Sequence, residues 1–155
     1  MEIVELPAFD MIGIEARTSF QKEHEGAGTF EKQWGRVHRE TVISSIPNRA
    51  DNEVLSLYTD YESDLYGEYT FVIGARVTST DTVPEGMVAR HVPAANYCVF
   101  TSDRGPIGEI VIDTWKKIWE SDCARSYRYD FEVYGANASD PAASVVDIYV
   151  GTRLT

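Results

Sequence analysis

The clearest chemistry in this chain lies in two short runs near its C-terminus, Phe131-Glu132-Val133-Tyr134 and Val146-Asp147-Ile148-Tyr149-Val150. On an extended strand, alternation puts Glu132 and Tyr134 on one face and Phe131 and Val133 on the other. In the second run Asp147 and Tyr149 oppose Val146, Ile148 and Val150. A carboxylate among tyrosines in a partly dry cleft is a receptor for a cation. The acid supplies charge, each ring face adds ~0.5–2 kcal/mol of cation–π attraction, and the rings bury an apolar ligand body. Trp34, Tyr69, Phe71 and the run Tyr58-Thr59-Asp60-Tyr61 offer similar groups in the first half. Alternation also describes an ordinary strand with one wet face, and tyrosine favours strands by propensity. For Asp60 that plainer reading is at least as good. For Glu132, Tyr134, Asp147 and Tyr149 together, the binding reading is ahead.

Other chemistries find little support. His24, His38 and His91 fall in neither H-x-x-x-H nor H-E-x-x-H spacing, so no metal site is expected. No G-x-S-x-G elbow occurs. Cys98 lies inside an apolar strand pattern and reads as a buried, inert thiol. Gly105-Pro106-Ile107-Gly108 lacks the Lys-Ser/Thr of a P-loop and reads as a helix-initiating turn. No cofactor is expected.

Composition narrows the class further. The 155 residues carry 25 acidic and 14 basic side chains, a net charge of −11. The basic residues are scattered, which argues against direct nucleic-acid binding, since a phosphate-binding face needs clustered Lys and Arg. No run approaches the ~20 apolar residues of a membrane span. The acidic start Met1-Glu2-Ile3-Val4-Glu5 is unlike a signal peptide. Cys98 and Cys123 form no disulfide framework, so a reducing cytoplasm is the expected compartment.

The elements that must hold these residues occur twice. Leu6-Pro7-Ala8-Phe9-Asp10-Met11-Ile12-Gly13-Ile14 resembles Val92-Pro93-Ala94-Ala95-Asn96-Tyr97-Cys98-Val99-Phe100, and Gly74-Ala75-Arg76-Val77 resembles Gly151-Thr152-Arg153-Leu154. Between these anchors each half carries one helical stretch centred on Trp34 or Trp115. Periodicity predicts strands at 3–6, 11–18, 54–61 and 69–78, then at 87–92, 97–102, 131–134 and 145–150. The first helix follows a loop marked by Gly26 and Gly28, with Thr29 as N-cap, a stripe of Phe30, Trp34, Val37 and Thr41, and an end at Pro47-Asn48. The second opens at Gly105-Pro106 and carries Val111, Trp115, Ile118 and Trp119. The expected fold is α+β: one domain over 1–155 made of pseudo-repeats 1–80 and 86–155, its antiparallel sheet carrying both main helices on one side. If the apolar faces of the last strands pack on the helices, Glu132, Tyr134, Asp147 and Tyr149 all face the other side, and the ligand cleft between the halves is expected there.

In order along nearly the whole chain, Gly67-Glu68-Tyr69-Thr70-Phe71-Val72-Ile73-Gly74, Val83-Pro84-Glu85-Gly86-Met87, 92–100, Gly105-Pro106, Trp115-Lys116-Lys117-Ile118-Trp119, Phe131-Glu132-Val133-Tyr134 and Val146-Asp147-Ile148-Tyr149 resemble the GyrI-like small-molecule-binding domain, the effector-binding domain of AraC-type and MerR-type multidrug regulators. The resemblance implies a pseudo-symmetric pair of β-α-β-β units with a ligand cleft between them. It implies that Glu132 is the buried acid that pairs with lipophilic cations, with Asp147 and Tyr149 matching the final-strand acid and tyrosine of some members. Trp34, Tyr61 and Tyr69 stand at positions for the aromatic cage. Regulators of this class carry a helix-turn-helix domain before the sensor, whereas here Met1 leads directly into the first strand. The chain therefore resembles the stand-alone, integron-cassette type, for which a regulatory role needs a separate protein partner.

The leading expectation is a binding protein for small lipophilic, cationic, drug-like molecules. Two alternatives use the same resemblance. One is a hydrolase of electrophilic small molecules, with Glu132 desolvated and acting as base or nucleophile. The other is a protein-interaction role such as gyrase inhibition.

Overall fold

A computed structural model describes residues 2–24, 28–64 and 66–155. The loop marker Gly26 and the side chain of His24 lie outside the described residues. Eight strands form one sheet: β1 (Glu2–Leu6), β2 (Phe9–Ser19), β3 (Val54–Thr59), β4 (Glu68–Val77), β5 (Val88–Val92), β6 (Ala95–Thr101), β7 (Arg125–Tyr134) and β8 (Asp147–Thr152). The helices are α1 (Phe20–His24), α2 (Thr29–Arg39) and α3 (Ile107–Trp119). Strand order is β1-β6-β8-β7-β3-β4-β2-β5, with every neighbouring pair antiparallel. Exchanging β1 with β5, β2 with β6, β3 with β7 and β4 with β8 returns the same order read backwards. The first strand of each half pairs with the second strand of the other half, and the halves also meet at the central β3–β7 pair.

Each sheet face has its own core. On one face α2 covers Ile14, Phe71 and Ile73, while α3 covers Cys98, Ile148 and Val150. On the other, Met11, Leu55, Leu57, Val72, Val92, Tyr97, Phe131 and Val133 are buried with no helix among the described residues over them. Strand residues such as Val4, Leu6, Phe9 and Val88 pack against it as the twisted sheet curls over that face. The two strands β2 and β4 approach closely at one point along their pairing. There Gly13 pairs with Gly74, and a Cβ on either would run into the backbone of the other strand.

Several boundaries differ from the sequence expectation. Thr29 is the first helical residue of α2, not its cap; Gly28 is the N-cap, in the left-handed region at φ 68°. The helix closes at Arg39, where the Glu40 N–H donates to the Arg36 carbonyl, and Thr41 at φ 52° turns the chain away. Thr41 therefore leaves the helical stripe, and the following turn buries Val42 and Ile46 against the sheet. Within α3, Ile118 turns to the sheet with Ile110 and Thr114. Strand β7 begins at Arg125, six residues before Phe131, and a bulge interrupts its pairing with β8 between Arg125 and Asp130.

The largest correction concerns sheet faces. On β8 the apolar residues lie under α3, so Asp147 and Tyr149 point to the helix-free face. On β7 the orientation is reversed. Glu132 pairs in register with Ile148 on β8 and Ser56 on β3, which puts Glu132 and Tyr134 on the helix side. Phe131 and Val133 enter the opposite core instead. The curled face is itself apolar, so it competes with the helices for the hydrophobic side of each strand.

Candidate functional site

Helices α2 and α3 stand apart above the central strands and leave a cleft of about 960 Å³ between them, a size suited to a drug-like molecule. Each helix presents a stripe to it. Phe30, Trp34 and Val37 come from α2, and Ile107, Val111, Trp115 and Trp119 from α3 at four-residue intervals. The sequence expectation placed the cleft on the helix-free face; it lies on the helix side, over β3 and β7.

Glu132 forms the floor and is 2% exposed. Its Oε2 accepts the indole N–H of Trp115 at 2.7 Å, and its Oε1 accepts the Tyr134 hydroxyl at 2.6 Å. Burial pushes the carboxyl above its ordinary pKa, while hydrogen bonds from Tyr134, Trp115 and Tyr58 pull the other way. Its partners are neutral donors. The Tyr58 and Tyr134 hydroxyls are held well above the usual tyrosine range, by burial first and by the Glu132 charge second. They stay protonated as donors.

Aromatic rings extend from this floor. Trp34 meets Tyr134 edge-on with centroids 4.9 Å apart, and Tyr58 stands 5.8 Å from Trp115 and 5.9 Å from Tyr69. Tyr61 lies 5.8 Å from Tyr69. Behind Tyr61 is a second acid that the sequence reading missed. Asp130 is fully buried and accepts the Tyr61 hydroxyl, the Arg125 guanidinium at 2.8 Å and the Gly151 N–H at 2.8 Å. Burial works against the charge on Arg125, and Asp130, Tyr61 and Tyr127 together more than offset it. Arg125 also stacks over Tyr127 at 4.4 Å and Trp115 at 5.5 Å. Tyr127 holds φ 55° in the bulge, a strained setting for a bulky residue.

Five of the eight sequence-selected residues line the cleft: Glu132, Tyr134, Trp34, Tyr61 and Tyr69. Phe71 shares their sheet face but is buried beneath Phe30, 4.6 Å away. Asp147 and Tyr149 lie on the opposite face. There Asp147 accepts the Thr101 hydroxyl at 2.7 Å, and Tyr149 stacks on Phe131 at 4.8 Å. Asp60 is exposed and paired with Arg90 at 2.8 Å. His38 lines the cleft beside Trp34, and His91 bonds Asp10 on the surface. Burial pushes the Cys123 thiol up to about 12, and Cys98 is fully buried. Among the described residues no three His, Cys, Asp or Glu side chains gather as a metal site.

Glu23 was also missed. It lines the cleft, and its carboxylate accepts the backbone N–H groups of Phe30 at 2.7 Å and Thr29 at 3.3 Å. It thereby caps α2 from outside the helix, where Gly28 has no side chain to do so. A capping box is a local pattern; this cap spans seven residues and gives no such signal.

A curled antiparallel sheet carrying two helices, with an acid-floored aromatic cleft between them, defines a small-molecule effector-binding domain. Comparison with known proteins agrees. Residues 2–151 match the Cass2 model, described as integron-associated effector binding protein, and the chain belongs to that family. It is 35% identical over 144 residues to YobU of Bacillus subtilis (strain 168), a protein named for transcriptional regulation, covering 91% of this chain and 90% of YobU. It is 32% identical over 156 residues to the transcriptional regulator BrlR of Pseudomonas aeruginosa, covering 96% of this chain but only 53% of BrlR. Among solved structures, an integron cassette protein from the mobile metagenome of Vibrio cholerae superposes with a TM-score of 0.76 at 26% identity, covering 98% of this chain and 95% of that one. SAV2435 bound to tetraphenylphosphonium shares the fold, with a TM-score of 0.78 at 15% identity and coverage of 98% and 93%. No helix among the described residues is long and apolar enough to cross a membrane.

Proposed function

We propose that the cleft binds lipophilic cations and that Glu132 is their counter-charge. The observation that carries this reading is a buried carboxylate whose donors among the described residues are all neutral, beneath an aromatic roof. A buried charge without a partner is costly. A cation entering the cleft removes that cost, and the rings of Trp34, Trp115, Tyr58 and Tyr69 supply cation–π and apolar contact. The tetraphenylphosphonium held by SAV2435 is a ligand of this class. Kinship with YobU and BrlR supports a sensing role in ligand-responsive transcription.

Thermal unfolding with tetraphenylphosphonium and a neutral tetraphenyl analogue tests the reading. At a hundred times its dissociation constant a ligand adds about 2.7 kcal/mol. The cation is expected to stabilise the wild type more than the neutral analogue does, and Glu132→Gln is expected to abolish the difference. Equal shifts in both proteins would overturn the assignment.

A further inference from the structure

The cleft carries a second carboxylate, Glu23, that caps α2 and has no charged partner among the described residues. Glu23 Oε1 accepts the Phe30 N–H at 2.7 Å; Oε2 accepts the Thr18 hydroxyl at 3.0 Å and the Thr29 N–H at 3.3 Å. All three donors are neutral. The adjacent Lys22 is committed to Glu68 at 2.6 Å, and among the described residues Glu23 forms no ion pair. The start of α2 offers it only about half a positive charge.

The two acids are joined by an unbroken line of rings. Trp115, which donates to Glu132, stands 5.8 Å from Tyr58; Tyr58 stands 5.9 Å from Tyr69; Tyr69 stands 6.3 Å from Phe30, whose own N–H donates to Glu23. The line thus starts at a residue bonded to one carboxylate and ends at a residue bonded to the other. Ionisation of the Tyr69 hydroxyl is opposed by burial and then by both acids, Glu23 more than Glu132, so its ring lies in the field of each.

We propose that this is a two-pole site whose preferred ligands are elongated dications. One cationic group sits at Glu132, the other at Glu23, and an apolar linker runs along Trp115, Tyr58, Tyr69 and Phe30. This rests on the reading of Glu132 as a counter-charge and extends it to a ligand shape. A monocation of the same length leaves Glu23 facing a hydrocarbon tail. A dication answers both charges and keeps the same ring contacts.

The test is calorimetric titration with α,ω-bis(trimethylammonium) alkanes of increasing spacer length, each against the alkyltrimethylammonium ion of equal chain length. In the wild type, the dication of matching spacer is expected to bind at least tenfold tighter than its monocation, with one optimum of length. Glu23→Gln keeps an oxygen for the α2 cap; it is expected to bring the dication down to the monocation's affinity, with the monocation within twofold of wild type. Glu132→Gln is expected to weaken both. Equal affinities in the wild type, or affinity rising steadily with length, would overturn the two-pole site while leaving Glu132's role intact. Equal loss of both ligands in Glu23→Gln would also overturn it, since Glu23 would then act through α2. If neither ligand binds, or Glu132→Gln changes neither, the underlying reading falls as well. Should Glu23→Gln lose its circular-dichroism melting transition, the wild-type length optimum decides.

Discussion

Trp115 on α3 donates its indole N–H to Glu132 on β7 at 2.7 Å, tying the roof of the cleft to the acid at its floor. The same ring lies beneath the Arg125 guanidinium, so one residue touches the buried acid and the wall of the cleft together.

That bond can be weighed. Trp115→Phe keeps an aromatic ring but removes the donor, and a hydrogen bond to a charged group is worth about 1.5–3 kcal/mol. The carboxylate loses stabilisation, so the Glu132 pKa is expected to rise further. Binding of tetraphenylphosphonium at pH 7 is expected to fall several-fold. Carboxyl infrared or NMR titration of the variant checks the first effect, and calorimetry the second.

Ligand affinity should depend on pH with a defined sign. Burial raises the Glu132 pKa, so the empty site holds its proton to higher pH than an ordinary glutamate. Cation affinity is expected to increase as pH rises through that elevated pKa, with proton release on binding. The proton count follows from calorimetry in buffers of different ionisation enthalpy, and Glu132→Gln should show neither effect.

Fold stability should carry the opposite sign. A folded-state pKa above the unfolded value means the folded form binds more protons in that interval. The contribution of Glu132 is therefore most favourable below the unfolded pKa and is lost as pH rises through the folded one. Glu132→Gln is expected to be more stable than the wild type near neutral pH, the advantage shrinking in acid. Denaturant melts across pH compare the two.

Asp130→Asn leaves the Arg125 guanidinium buried beside a neutral amide. Breaking a buried pair from one side costs about 3–5 kcal/mol, which corresponds to a Tm drop of about 10 °C for a chain of this size. Arg125→Met combined with Asp130→Asn is expected to recover part of the loss. Thermal unfolding of the three variants measures it.

The two sheet faces predict a contrast between neighbouring strands. Asp147→Asn is expected to leave cation affinity within twofold of wild type, because Asp147 bonds Thr101 on the face away from the cleft. Glu132→Gln, on the adjacent strand, is expected to weaken it by about tenfold or more, ~1.4 kcal/mol. Matched titrations separate them.

Much of this arrangement was legible in the chain. The eight strands, the two main helices and the pairing of acid with tyrosine on 131–134 follow from periodicity and turn residues. Strand parity also showed correctly that Glu132 and Tyr134 share a face. It could not say which face the helices cover. An apolar residue packs equally well under a helix or inside a curled sheet, and Phe131 and Val133 took the second course while Ile148 and Val150 took the first. Asp130 escaped notice because its value lies in partners from Tyr61, Arg125 and Gly151, which only the bulged β7 brings together. Glu23 escaped because its bonds reach six and seven residues forward, to a helix for which the sequence already offers Thr29 as a cap.

The chain has three tryptophans, Trp34, Trp115 and Trp119, and all of them line the cleft. The indole emission of the whole molecule therefore originates at the binding site, with no remote tryptophan to dilute it. Occupancy by an aromatic or cationic quencher should dim or shift nearly the entire signal, so the unlabelled protein serves as its own optical probe for screening ligands.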